Sequence, residues 1–378
     1  MSLISKLSVN KVVVVSNRDF APGGEPKAPF NADMLKLARE VSEFTQTELA
    51  KRAGVTQALV SKLEHGLINE PGIESLEALS NALKFPVSFF FQRDRASGLP
   101  HFHFRKRAKM GAKVLAKISA VTNIRTMHIS RLLASFEDEP TKPIPQWDLD
   151  DKGITPGEVA ERMREYWMLP RGPIENVCEV IEAAGGIVVN SDFGTDHLDG
   201  ISFRKEGLPP LFFMNRNVPG DRYRFSLAHE LGHMIMHSVP GDDKEMEDEA
   251  HSFAANFLMP KAEIRPYLSK GKFGDLGRVK AYWKVSIKAL IVRSHALDLI
   301  TDYQYKSMNI RYNKVFKNGE PVPIEVERPT RLKRIVRYHQ DTLGYSMEEL
   351  ADVLRINPNH AERLYGEKPS GPYLVISN

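Results

Sequence analysis

Between positions 32 and 91 apolar residues recur three and four apart, in segments separated by Thr45, Gly54 and the turn Gly66–Gly72. That spacing predicts a bundle of short helices. Val114, Leu115, Ile118, Val121 and Ile124 keep the same period and predict one amphipathic helix. The pattern then changes. Helical spacing from Thr155 gives way to β-like runs at Gly186–Asn190, Gly200–Arg204 and Leu211–Met214, and helices resume from Asp221. The fold class this predicts is α+β, mostly helical, with a small sheet and no βαβ repeat. Ser346–Tyr365 is the last helical stretch, beyond a proline-broken segment, Gly319–Pro329.

Shifts in pattern set the expected divisions. Residues 1–29 form an extension with a short run, Val12–Val15, and the connector APGGEPKAP; residues 30–95 form the bundle. Residues 96–145 are a linker-helix region that opens on Arg105, Lys106, Arg107, Lys109, Lys113 and Lys117 and closes on EDEPTKPIPQ. Residues 146–305 hold the mixed domain and 306–378 a helical carboxy-terminal region. A chain of 378 residues suits two or three such cores.

Two short helices joined by a glycine turn are the mark of a helix-turn-helix, and TQTELAKRAG followed by VTQALVSKLEHG has that form. Leu49, Ala50, Val55, Val60 and Leu63 supply the contact between the helices, and Thr45 and Thr56 cap them. Gln57, Ala58, Ser61 and Lys62 are left outward on the second helix. There Gln57 can pair with an adenine edge, Ala58 can touch a thymine methyl and Lys62 can hold phosphate; Gln46 and Thr56 complete the expected DNA-contact set. EELADVLRINPNHAERLYG aligns with this segment, Leu49 with Leu350, Ala50 with Ala351, Val55 with Ile356 and Leu63 with Leu364. It reads as a degenerate copy, with Pro358 and few outward basic residues favouring packing over base reading.

The one cysteine, Cys178, excludes an internal disulfide and any zinc site needing two thiolates, so metal would be held by histidine and carboxylate. His229-Glu230-Leu231-Gly232-His233 has that chemistry: in a helix, side chains four apart share a face, so both imidazoles can meet one ion, with Glu230 beside it as the base for water. The third ligand is sought in EMEDEAHSFAANFLMP. Met246, Ala250, Phe253, Ala254, Phe257 and Leu258 mark its buried face, and Glu247 lies nearer the centre of that face than Glu249. His237 and His251 stand as further ligands or supporting donors, and Tyr223, His237 and Arg224 as candidates to stabilise a transition state.

The segment Phe30–Phe91 resembles the phage-repressor, Xre-like helix-turn-helix family, which implies a five-helix module that binds a double-stranded DNA operator, usually as a homodimer on a palindrome. RFSLAHELGH, the E-x-x-A beginning at Glu247, and FAANFLMP resemble the ImmA/IrrE metallopeptidases, whose members cleave helix-turn-helix repressors or regulators. The likeness is specific over Asp221–Pro260 and looser over Thr155–Ile300. It implies a zincin-like, gluzincin-type domain with His229, His233 and Glu247 as ligands of Zn2+ and Glu230 as general base.

Two functions follow as expectations. The first is a transcription regulator whose zinc peptidase hydrolyses a regulatory protein, or this chain itself at Glu137–Gln146. The second is a repressor, or an antitoxin with a toxin partner, whose zinc domain is structural or sensory. With no stretch near 18 apolar residues and no secretory core, a cytoplasmic site away from membranes is expected. The net charge of +4 permits nucleic-acid binding and decides little.

Overall fold

Short polar side chains set where the first helices begin. In the computed structural model, which describes residues 28–97, 110–147, 153–237, 243–269 and 272–366, Asn31 accepts the N–H of Asp33 and starts α1 (Ala32–Val41). Thr45 and Glu48 form a reciprocal capping box on α2 (Gln46–Ala53), and Thr56 caps α3 (Gln57–Glu64) through the N–H of Leu59. α4 (Ile73–Leu83) follows, and a 3₁₀ turn, Val87–Phe91, takes the place of a fifth full helix. Met34, Leu35, Leu49, Val60, Leu63, Leu79 and Phe90 are fully buried between these elements. Each such side chain contributes about 1.5–3 kcal/mol by leaving water. The expected extension with Val12–Val15 and the basic residues Arg105, Lys106, Arg107 and Lys109 lie outside the described residues.

α5 (Ala112–Leu133) departs from the amphipathic linker that its period predicts. Every residue from Ala120 to Ile129 is buried, including Asn123, Arg125 and His128. The reason is that α5 has packing partners on more than one side, α1 and the carboxy-terminal helices, so its polar face finds protein rather than water. Lys117 reaches Glu43 at 2.7 Å, and the Asn123 amide answers both backbone groups of Ser97, at 2.7 and 2.8 Å.

In the mixed part, α6 (Pro156–Tyr166) begins at a Thr155–Glu158 capping box and α7 (Val177–Ala183) at Asn176. Three strands follow: β1 (Ile187–Ser191), β2 (Gly200–Phe203) and β3 (Leu211–Asn215). The sheet order is β1-β3-β2, with β3 parallel to β1 (Ile187 opposite Leu211) and antiparallel to β2 (Gly200 opposite Met214). The central strand is buried at all five positions, as a strand covered on both faces must be. α8 (Gly220–Met236) and α9 (Asp243–Leu258) pack closely. A Cβ at Gly232 would stand 3.0 Å from the Phe253 ring and 3.3 Å from the Ala250 Cα, so this glycine sets the approach. α10 (Lys261–Leu268), α11 (Leu276–Trp283), α12 (Ile287–Ala296) and α13 (Asp302–Val315) complete this part.

After the coil 319–330, α14 (Arg331–Arg337) leads into a π turn, Tyr338–Thr342, and then to α15 (Met347–Leu354) and α16 (Pro358–Tyr365). The bounds of these last two helices repeat those of α2 and α3: Gln46 and Met347, Ala53 and Leu354, Gln57 and Pro358, Glu64 and Tyr365 all lie 301 residues apart. A capping box at Ser346 matches that at Thr45, and Arg355, at φ 58°, takes the left-handed place of Gly54, at φ 66°. The copy is therefore a helix-turn-helix in geometry. Its second helix is turned inward, with His360, Ala361, Leu364 and Tyr365 buried.

Two compact units result. One joins the amino-terminal helices to 112–137 and to 333 onward, and the other runs over 138–332. The stretches expected to stand apart as linker and carboxy-terminal region are thus mostly shared out to the first. The proline-rich stretch after Glu137 is tied down: the N–H of Ile144 donates to Ala184, that of Trp147 to Ile235, and Arg204 holds the carbonyls of Ile144 and Pro145. This is the opposite of a loose, cleavable linker. Among the described residues no helix is long and apolar enough to cross a membrane.

Candidate functional site

α8 is buried over most of its length, with Leu227, Ala228, Leu231 and Ile235 in the core. His229 and His233, one turn apart, face α9. The structure brings both histidines to Glu247: the two Nε2 atoms are 3.1 Å apart, and the Glu247 carboxylate lies 3.6 Å from that of His229 and 3.4 Å from that of His233. Ligands at roughly 2.0–2.2 Å from one tetrahedral ion stand about 3.3–3.6 Å from each other, so the donor set fits a cation such as zinc in size and in chemistry. Both histidines are buried and Glu247 is partly so, which limits competition by water.

A relay fixes the ring of His233. Its Nδ1 lies 2.8 Å from Nδ1 of His237, whose Nε2 lies 2.9 Å from Glu249. Burial, and after it the neighbouring rings of His233 and His229, hold the His237 imidazole down to about 3, so it is neutral near pH 7. With its single proton on Nε2, donated to Glu249, its Nδ1 accepts from Nδ1–H of His233. His233 Nε2 then carries no proton and presents its lone pair to the metal position. His237 and Glu249 thus stand behind the donor triad. The His251 ring lies 5.1 Å from that of His229.

Glu230 is 2% exposed, and its Oε2 accepts a 2.7 Å hydrogen bond from Ser202 on β2. A Cβ at Gly200 would stand 3.1 Å from Glu230 Cγ and 2.7 Å from Met214 Sδ, so only glycine lets the strand come this near. Neither Ser202 nor Gly200 is legible as a site residue, because they stand 28 and 30 residues from Glu230 on a different element. Tyr223 and Arg224 are not placed to act at the centre. At about 100° per residue they point roughly 120° and 140° away from His229. Tyr223 donates to Asn190 at 2.6 Å, while Arg224 is locked to Glu327 and to the carbonyls of Ile174 and Glu175.

In the other unit, Gln57, Ala58 and Lys62 are exposed on α3 and Ser61 is half-buried beside His65. Thr56 spends its oxygen on the cap. Gln57 is not a free rotor: its amide donates to Gln46 at 2.9 Å, Gln46 donates to Glu64 at 2.9 Å, and Arg39 grips Glu64 with two nitrogens at 2.5 and 3.0 Å. Arg39 and Glu64 escape sequence reasoning because they are 25 residues apart with no periodic relation. What they achieve is to preset one polar side chain on the outward face, lowering the entropy lost on contact.

Fold and site together define a class: a chain that joins a helix-turn-helix unit to a domain of metallopeptidase type. Known families name the parts. Residues 35–90 match the helix-turn-helix model and residues 182–295 match the IrrE N-terminal-like domain of the M78 peptidases. The chain therefore carries an Xre-like helix-turn-helix and an IrrE-like domain. Over 53 residues it is 40% identical to an uncharacterized HTH-type transcriptional regulator, y4dL, of Sinorhizobium fredii. That match covers 14% of this chain and spans about a quarter, 26%, of the relative. A crystal structure of ComR from S. thermophilus, in complex with DNA and its signalling peptide ComS, aligns over 85% of this chain and 96% of that one. The identity is 13% and the TM-score 0.17.

Proposed function

We propose that this chain is a transcription regulator that binds operator DNA through α2 and α3 and hydrolyses a peptide bond of a regulatory protein at a zinc centre. The observation that carries the hydrolytic reading is the meeting of His229, His233 and Glu247, with ligand atoms all within 4.8 Å of one another, beside a buried carboxylate, Glu230. Zinc held there would supply Lewis acidity, lowering the pKa of water and polarising the scissile carbonyl. Glu230 then takes a proton from the attacking water and returns it to the leaving amine, while Ser202 keeps its carboxylate from turning. On the DNA side Gln57, preset by Gln46, Glu64 and Arg39, reads a base edge, with Lys62 on phosphate. The chain acts in the cytoplasm as a homodimer on a palindromic operator.

The test uses the full chain loaded with zinc and the regulators encoded beside it. Glu230→Gln should leave about one zinc per chain and operator binding unchanged, while cleavage falls roughly 10²–10⁴-fold. Cleavage surviving in that variant sinks the assignment of the base. A wild-type protein that binds operator and zinc but cuts none of those regulators leaves only the DNA-binding half of the proposal.

A further inference from the structure

The helical stripes that hold the metal donors do not end at them. On α8, Phe225 and Ser226 lie one turn before His229; on α9, His251 lies one turn after Glu247, with Ala255 a turn further. The rings of Phe225 and His251 stand 5.1 Å apart, as do those of His251 and His229, so the two stripes meet beside the donors. From this junction the groove between the helices opens into a cavity of about 970 Å³. That is at the upper end of the roughly 300–1,000 Å³ that ligand pockets occupy.

Two further walls close the cavity. α12 contributes Ala289, Val292 and Ala296, and the coil segment 319–324 crosses on the remaining side. Glu320 secures that segment, accepting from Lys280 at 2.8 Å and from the N–H groups of Ile287 and Lys288 at 2.7 and 3.2 Å, at the start of α12. The exposed surface inside is mainly apolar. The charged groups around it number four acids and four cations, so they leave no surplus of either sign. Arg222 is spent on Asp199 at 2.7 Å, and Lys280 on Asp221 and Glu320.

We infer that this cavity is a specificity subsite that receives a bulky, uncharged apolar side chain of the polypeptide beside the bond to be cut. The inference rests on the hydrolytic reading and gives it a substrate class: segments rich in leucine, methionine or phenylalanine. Apolar walls favour such residues, and with acids and bases in balance a carboxylate or ammonium gains no net attraction to offset its lost water. The occupant is a stretch of protein chain, because the cavity begins one helical turn from the donors on the same two helices, at Phe225, Ser226 and His251.

The test has two arms. In the first, the zinc-loaded full chain digests a mixture of peptides and the cuts are located by mass spectrometry. One position at a fixed distance from the cut should favour leucine, methionine or phenylalanine over alanine by roughly tenfold or more. Ala289→Trp, which plants an indole in the cavity, should abolish that preference. Val292→Trp repeats the test from a position that is 44% exposed and so tolerant of replacement. Random residues at that position, or a preference unchanged in both variants, overturn the subsite.

The second arm needs no hydrolysis. N-acetyl-phenylalanyl-leucine amide should bind the metal-free Glu230→Gln protein saturably, as read by ligand-observed NMR, and lose at least tenfold in affinity in Ala289→Trp or Val292→Trp; the matching aspartyl-aspartate amide should not bind. Binding without any cleavage by the wild type would sink the peptidase reading and leave the cavity's preference standing. Failure of the apolar amide to bind, or equal binding in both tryptophan variants, overturns the inference itself.

Discussion

Acid should loosen the helical unit that holds the DNA-reading hairpin, and two histidines set the size of the effect. Burial, followed by the charges of Arg125 and Arg131 and by His360, drives the His128 imidazole on α5 well below the ordinary histidine range. Burial, then Arg363 and Lys84, takes His360 on α16 down to about 4. Both are neutral in the folded protein and titrate near 6.5 in the unfolded chain. As pH falls through 6.5 the unfolded chain takes up protons that the fold refuses, and stability is lost until the folded values are reached. At about 1.4 kcal/mol per pH unit for each group, the drop to pH 5 removes roughly 2 kcal/mol per histidine, about 4 together, from a typical total of about 5–15 kcal/mol. Hydrogen exchange of α5 amides at pH 7, 6 and 5 measures it. Tryptophan fluorescence would not, since Trp147, Trp167 and Trp283 all lie in the other unit. His360→Phe is the decisive variant. Both ring nitrogens of His360 are buried without a hydrogen bond, and the ring packs 6.0 Å from Phe85, so a phenyl group gives up no polar contact. The pH slope should fall by about half. Equal slopes in the two proteins, or protection that is flat from pH 7 to 5, would refute the argument.

Three further outcomes follow from contacts described above. Glu320→Ala leaves Lys280 with Asp221 alone and strips the acceptor from the start of α12, so fluorescence-monitored urea unfolding should show a loss of roughly 3–5 kcal/mol. Burial pushes the Glu320 carboxyl up, but bonds from Lys280, the N–H of Ile287, Tyr312 and the N–H of Lys288 outweigh it and leave the group below its usual value; its contribution should therefore persist above pH 4.5 and fade below. Gln57→Ala should weaken operator binding about 5- to 150-fold in a fluorescence-anisotropy titration, with the fold unchanged by circular dichroism. His237→Ala frees Nδ1 of His233 and should lower zinc affinity by roughly 10- to 100-fold in competition with a chromogenic chelator, whereas an unchanged affinity removes the relay from the account.

What could be read from the chain was whatever repeats at short range. The three strands emerge within a residue of their β-like runs because a short apolar run bounded by turn residues is written locally, and the caps at Thr45 and Thr56 because a hydroxyl three residues before an N–H is enough to make them. The pair His229 and His233 needs only one helical turn. Glu247 follows from the angle it makes with a stripe of buried residues, and the structure places it against both histidines. Ser202, Arg39 and Glu320 stayed hidden because each acts on a partner 25 or more residues away, where no period operates. α5 misled for a different reason. Its apolar spacing is real, but a polar residue on a helix is compatible with water or with a buried partner, and only the arrival of distant segments decides between them.

Those segments arrive late. The helices that cover α5 are α15 and α16, through Leu354 on Arg131 and Tyr365 on His128, and they leave the ribosome more than 200 residues after it. At about 5–20 residues per second a nascent chain would carry the uncovered face of α5 for on the order of 10–40 seconds. During that interval the hairpin of α2 and α3 is already made, yet the body that steadies it is not. A messenger truncated anywhere within residues 138–332 would therefore yield a helix-turn-helix with an open flank, prone to aggregate or to be degraded.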